Sequence, residues 1–178
     1  MTKRMIFAML LTLFAAGCGY TTRSLLPPEL DSIHVSNFVN KIDPAEEVSD
    51  KRMSYTYWPG LENQITRSVI DGFIFDRHLD VKSEARAAMV LKGKLVDYKQ
   101  EPLSYDRADN VEEMRTQITV DLELYNSATG DLIWSEKSFT GWSSYDLSGP
   151  NATTEAEGVR RAVKDLGERV VERVVEAW

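Results

Sequence analysis

One thiol, two imidazoles and a few grouped carboxylates and cations are all this chain offers to chemistry. Cys18 is the only cysteine of the 178 residues and stands in Ala15-Ala16-Gly17-Cys18-Gly19-Tyr20. A thiolate can act as nucleophile, metal ligand or acyl acceptor, but no second cysteine is present to pair with it. His34 and His78 are the only histidines. Metal sites take several His, Cys or carboxylate ligands at defined spacing, and these two lie far apart on different elements. Glu46-Glu47 and Glu112-Glu113 are adjacent pairs. Glycoside hydrolysis needs two carboxyls facing one bond across a cleft, so adjacent pairs read as solvated acidic loops. No Gly-x-Ser-x-Gly elbow or glycine-rich phosphate loop occurs. No catalytic residue, metal ligand or cofactor is assigned, and the chain is expected not to be an enzyme. One cationic group remains: Lys92, Lys94, Lys99, Arg115 and Lys137. Strand alternation would bring several of these onto one face as a small basic patch suited to phosphate. The competing expectation is an ordinary solvated face, with cross-strand partners such as Glu123 and Glu136.

The residues before Cys18 explain its position. Lys3 and Arg4 precede an apolar run from Met5 to Ala16. A permanent membrane helix needs about twenty apolar residues. This run has the length and flanks of a signal-peptide core, ending in small residues at a cleavage site. Ala-Ala-Gly-Cys at that place resembles the lipobox of bacterial lipoproteins, although Ala15 stands where Leu is more usual. The resemblance implies that Cys18 receives a diacylglycerol, that residues 1–17 are removed, and that the new amino terminus is acylated. One acyl chain binds a membrane only marginally, whereas three anchor firmly. Gly19, where certain families use Asp for inner-membrane retention, implies passage to the outer membrane.

Loss of Lys3 and Arg4 moves the formal charge from −7 to −9, with 19 basic against 28 acidic residues. That balance argues against nonspecific nucleic-acid binding, which works by neutralising phosphates. With no disulfide available, the fold must rest on its core, and 43% apolar and 10% aromatic residues suffice for one.

Residues 18–30, with Pro27-Pro28, read as a tether, and residues 31–178 as a single domain. Ser32 to Val39 is an imperfectly alternating strand, and Asn40 to Thr56 a polar, acidic loop. In Trp58 to Arg77, Leu61, Ile65, Val69 and Phe73 recur every four residues and predict a helix, with Pro59 in its first turn. Leu79 to Ser83 is a short edge or entry strand. Ala88 to Gln100 is a strand ended by Pro102, and Leu103 to Val111 an acidic hairpin tip. Thr116 to Tyr125 alternates apolar and polar residues throughout, as a half-buried antiparallel strand does. Asn126 to Gly130 is a turn, and Asp131 to Gly141 returns as the other arm of a hairpin. A last helix starts at Thr154, with Glu157 placed for a capping box. Its stripe is Val159, Val163, Leu166, Val170 and Val174. The expected fold is α+β, two helices on one face of a four-stranded, mostly antiparallel sheet.

From Cys18 onward the chain resembles the LptE family of lipopolysaccharide-assembly lipoproteins. The residues that carry the resemblance are Cys18-Gly19-Tyr20, Ser32 to Val39, Trp58-Pro59-Gly60-Leu61-Glu62-Asn63-Gln64-Ile65-Thr66 and Leu91-Lys92-Gly93-Lys94-Leu95-Val96-Asp97-Tyr98. Thr119 to Leu124, Gly130-Asp131-Leu132-Ile133-Trp134 and the closing helix complete it. The motifs are diffuse and the order of elements carries most of the weight. The resemblance implies an outer-membrane lipoprotein, lipid-anchored and facing the periplasm. It implies that the protein plugs and helps assemble an LptD-like β-barrel which delivers lipopolysaccharide to the cell surface, with lipopolysaccharide itself as a second ligand. Lys92, Lys94, Lys99, Arg115 and Lys137 are the candidate contacts for barrel or lipopolysaccharide. The alternative is an envelope lipoprotein that regulates or activates a periplasmic enzyme.

Overall fold

The computed structural model describes residues 27, 29–42 and 58–176. The expected signal peptide, Cys18, most of the tether and most of the loop from Asn40 to Thr56 lie outside the described residues. In chain order the elements are β1 (Ser32–Val35), β2 (Val39–Asn40), α1 (Leu61–Asp76), β3 (Asp80–Val81), a 3₁₀ turn (Glu84–Arg86), β4 (Met89–Tyr105), β5 (Val111–Asn126), β6 (Leu132–Asp146) and α2 (Glu155–Val175).

The sheet has six strands and is mixed, which corrects the four-stranded, mostly antiparallel sheet expected from sequence. Its order is β3-β1-β4-β5-β6, with β2 also paired to β4. β4, β5 and β6 form two long antiparallel ladders. β1 runs parallel to both β3 and β4, and β2 runs parallel to β4. Of the two-residue strands, β3 falls within the short strand expected at Leu79 to Ser83, whereas β2 is too short to leave a periodic signal of its own. They exist because β4 and β1 present free backbone groups to them. The expected strand Ser32 to Val39 is broken for a packing reason. Phe38 turns inward and is 3% exposed. Its N–H leaves the ladder and donates to Thr66 Oγ1 at 3.0 Å. The Phe38 ring then fills the space over Gly93, where a Cβ would lie 2.1 Å from a ring carbon.

α1 and α2 both pack on one face of the sheet, as expected. Leu61, Ile65, Val69 and Phe73 from α1 and Val159, Leu166, Val170 and Val174 from α2 are buried with Leu91, Leu95, Ile118, Val120, Leu122 and Leu124. Burying such a side chain fully contributes about 1.5–3 kcal/mol. The two helices run parallel: Ser68 Oγ donates to Val163 O at 3.1 Å, and further on Gly72 lies against Val171. α1 begins after Pro59, with Gly60 at φ 77 as its N-cap. α2 is capped as expected: Thr154 Oγ1 accepts from Glu157 N at 3.3 Å. The Glu157 carboxylate turns instead to Arg160 and Arg161. α2 crosses β6 at Gly141, where a Cβ would lie 2.6 Å from Leu166 N. There it covers part of the sheet edge, since Trp142 N donates to Asp165 Oδ2 at 2.9 Å.

β4 does not stop at Pro102. It continues to Tyr105, and Pro102 stands opposite Met114 with a register shift beside it. Proline cannot donate to a ladder but is accepted at a bulge. The β4–β5 hairpin therefore extends well past the helix-covered core, and its tip is only Asp106 to Asn110.

Candidate functional site

The face of the sheet opposite the helices holds most of the cationic group singled out from sequence. On β5 the inward residues are Thr116, Ile118, Val120, Leu122 and Leu124, all buried. Their neighbours Arg115, Gln117, Thr119, Asp121, Glu123 and Tyr125 therefore project to the other face. Lys92 stands opposite Glu123 and Lys94 opposite Asp121. A bulge between Leu95 and Asp97 then switches the parity of β4. That switch places Lys99, opposite Gln117, on the same face as Lys92 and Lys94. Arg115 completes the row opposite Glu101 on β4 and Ser144 on β6.

Each of these four cations has a defined neighbour. Lys94 Nζ lies 2.7 Å from Glu123 Oε1, and Tyr125 OH donates to Glu123 Oε2 at 3.0 Å. The hydrogen bond from Lys94 and then that from Tyr125 hold the Glu123 carboxyl below its ordinary value, while the same carboxylate raises Lys94 and Tyr125. Lys92 Nζ stands 4.8 Å over the Tyr125 ring. Lys99 Nζ lies 2.8 Å from Asp97 Oδ2. The Arg115 guanidinium stacks 5.0 Å over Trp142, and its buried Nε finds no hydrogen-bond acceptor among the described residues. Lys137 is set apart. It is exposed on β6 beside Ser138, whose φ is 56 at a bulge, and makes no ion pair among the described residues. Of the two expected carboxylate partners, Glu123 serves this face. Glu136 instead takes Arg173 of α2 at 2.6 Å.

The open face is thus an amphipathic mosaic of cations, acids and aromatics. Trp142 is 46% exposed and was not singled out from sequence. It stands opposite Gln117 on β5, one residue past the end of the strand expected from sequence. The projecting hairpin adds exposed Leu103 and Tyr105, with exposed Leu147 close to its tip, where Leu147 N donates to Glu112 O at 2.9 Å. Asp106 closes the tip, its Oδ1 accepting from Ala108 N at 2.7 Å and Asn110 N at 2.9 Å. His34 Nδ1 lies 3.2 Å from Lys82 O, and His78 Nδ1 2.8 Å from Asp76 Oδ2. Among the described residues no group of three His, Cys, Asp or Glu could hold a metal ion, and no helix is long and apolar enough to cross a membrane.

The described residues thus form two helices on a six-stranded mixed sheet whose other face carries charged and aromatic side chains. Residues 30–176 match the family described as LptE: Lipopolysaccharide-assembly. The chain belongs to the LptE family and is a non-enzymatic outer-membrane lipoprotein of lipopolysaccharide assembly, lipid-anchored and facing the periplasm. Family membership also implies a partner in the outer membrane. No curated protein matches the chain. Solved structures share the fold at low identity. XCC0632 from Xanthomonas campestris is 12% identical, with 84% of this chain and 88% of that one covered at a TM-score of 0.54. A PelC dodecamer from Paraburkholderia phytofirmans is 15% identical, with 86% and 96% covered at 0.52. The hypothetical protein CT253 from Chlamydia trachomatis is 10% identical, with 80% and 94% covered at 0.50.

Proposed function

We propose that the outer-membrane partner is an LptD-like β-barrel, and that this chain plugs it and assists its assembly. The observation that carries the reading is the family match across 30–176. The contact side in this proposal is the open sheet face, with Lys92, Lys94, Lys99 and Arg115 across it and Lys137 at its edge. Its mixture of charge and aromatic surface suits the polar interior of a large barrel and the phosphorylated head of lipopolysaccharide. The mechanism is binding and scaffolding, with no bond made or broken. In the same proposal Cys18 carries the lipid, residues 1–17 are removed, residues 18–30 form the tether and residues 31–178 the domain. Depletion of the chain tests the role. The expected result is a barrel that accumulates unfolded, seen by loss of its heat-modifiable mobility, together with loss of lipopolysaccharide from the cell surface. Normal folding of the barrel in depleted cells overturns it. Cys18→Ala is expected to release the chain from the outer-membrane fraction, and an acylated C18A variant still in that fraction would refute the assignment of the lipid.

A further inference from the structure

One end of the domain gathers the entry of the chain and the last turns of both helices. β1 runs parallel to β4 with Ile33 opposite Met89, and Met89 stands opposite Asn126 at the β5–β6 turn. α1 and α2 point the same way and finish here. Asp80 N, just past α1, donates to Asp31 O at 3.0 Å, and Arg173 in the last turn of α2 holds Glu136 near the start of β6. The segment leading in from Cys18 is pinned at the same end, where Leu30 is buried and its N–H donates to Pro27 O at 2.9 Å. The hairpin tip lies at the opposite end, because β4 runs 17 residues from Met89 to Tyr105, about 50 Å.

Three large apolar side chains stand in water at the entry end. Phe75 in the last turn of α1 is 89% exposed and Ile74 beside it 58%, and Leu132 at the start of β6 is 52% exposed. The β5–β6 turn adds small, uncharged, exposed residues from Ser127 to Gly130. Cys18 lies nine residues before Pro27, a reach of at most about 30 Å when fully extended. A lipid on Cys18 therefore keeps Pro27 within about 30 Å of the bilayer.

We infer that this end of the domain rests on the bilayer, with Phe75, Ile74 and Leu132 entering the lipid interface. The inference depends on the reading that Cys18 carries the lipid, and it adds which surface of the domain meets the membrane. One ring and two aliphatic side chains form a weak membrane contact by themselves, because interfacial binding scales with the apolar area buried. The acyl chains change that balance. They make the contact intramolecular, at an effective concentration in the millimolar range for a short link. For the same reason the contact needs no basic patch, and Arg77 stands here with Asp131 and Glu176. The pose belongs to the chain before it docks. With the entry end on the bilayer the hairpin points into the periplasm, and the open sheet face stands clear for the barrel.

The test uses the chain purified from outer membranes free of its barrel and returned to vesicles of phosphatidylethanolamine and phosphatidylglycerol. An acylated Cys18 leaves no free thiol, so one added cysteine alone takes a nitroxide label. Ala128→Cys reports on the entry end and Arg107→Cys on the hairpin tip; both residues are exposed. Power saturation compares collisions of each label with oxygen, which concentrates in lipid, and with a water-soluble nickel chelate. The oxygen-to-nickel ratio is expected to be several-fold higher at 128 than at 107. Phe75→Asp with Leu132→Asp is expected to bring the ratio at 128 down to that at 107, while the chain still floats with the vesicles and keeps its circular dichroism. Equal ratios at 128 and 107 in a chain that floats overturn the membrane contact and leave the lipid assignment standing. A high ratio at 128 that survives F75D with L132D also overturns it, because another surface then meets the bilayer. A chain whose mass shows no acyl groups and that does not float removes the reading of Cys18, and the inference with it.

Discussion

Gly141→Ala is predicted to loosen the whole helix layer through one methyl group. Gly141 lies on β6 where α2 crosses it. A Cβ there would meet Leu166 Cβ at 2.5 Å, and Leu166 Cα and N at 2.6 Å. Ordinary contact begins at 3.4 Å, so α2 must move away by about 1 Å, because a backbone atom has no rotamer to escape into. A gap of that size forfeits a quarter to a half of each contact it opens. The residues that lose contact are those of the buried stripe of α2, with Leu166 itself fully buried. Overpacking of this kind costs about 1–3 kcal/mol, while removing a glycine from the unfolded chain returns about 0.4–1 kcal/mol. The net expectation is a loss of about 1.3 kcal/mol. For a domain of this size that lowers Tm by about 3–5 °C. The assay is thermal unfolding by circular dichroism, with urea unfolding as a check on two-state behaviour. Truncating the opposing side chain should not help, because the Leu166 main chain is itself part of the clash. The double variant Gly141→Ala, Leu166→Ala is expected to be no more stable than L166A alone. A G141A protein as stable as the parent, or a double variant more stable than L166A, would refute the close crossing of α2 over β6.

Thr66→Val keeps the shape of a buried residue but removes the acceptor of the Phe38 N–H. Leaving that donor unsatisfied is expected to cost about 1–3 kcal/mol, read as a lower urea midpoint with an unchanged slope; an unchanged midpoint would contradict the bond. Thr154→Ala removes the N-cap of α2 and is expected to cost about 1 kcal/mol, whereas Thr154→Ser should restore most of the lost Tm. Glu123 titrates below its ordinary value of 4.5 in the folded chain, through Lys94 first and Tyr125 second. Its contribution to stability is therefore complete above the unfolded value and is lost as pH falls through the folded one. The fall of Tm between about pH 5 and pH 3 should be shallower in Glu123→Gln than in the parent, and parallel curves would refute the pairing.

The parts of this fold that could be read from sequence are those where one local rule acts alone. The four-residue recurrence of Leu61, Ile65, Val69 and Phe73 marks α1, and Thr154 with Glu157 marks the start of α2 within a residue. The strict alternation from Thr116 to Leu124 assigns both faces of β5 correctly. What escaped was decided by partners. The short alternation from Leu79 to Ser83 marks β3, but the two-residue β2 forms only because β4 offers it free backbone groups, which a count of periodic segments cannot register. Phe38 breaks the first strand because Gly93 on another strand leaves room for its ring. Pro102 reads as a stop, yet a register shift lets β4 run on past it and lengthens the hairpin. The cationic row was half legible. Lys92 and Lys94 share a parity in sequence, but Lys99 joins them only through the bulge at Val96. Glu136 looked like a strand-face partner, and it is instead held by Arg173 on α2. Trp142 and Phe75 carried no signal beyond their size, since exposure of a large apolar residue depends on what is not packed over it.

The measurement that bears most directly on the central claim is purification of the tagged chain from outer membranes in mild detergent, with the mass and composition of the complex determined. A single large β-barrel at near-equal amount, released when the aromatic and cationic open face is altered by Arg115→Glu and Trp142→Ala together, is the predicted result. Recovery of the chain without a barrel, or with a periplasmic enzyme as its stoichiometric partner, would contradict the account.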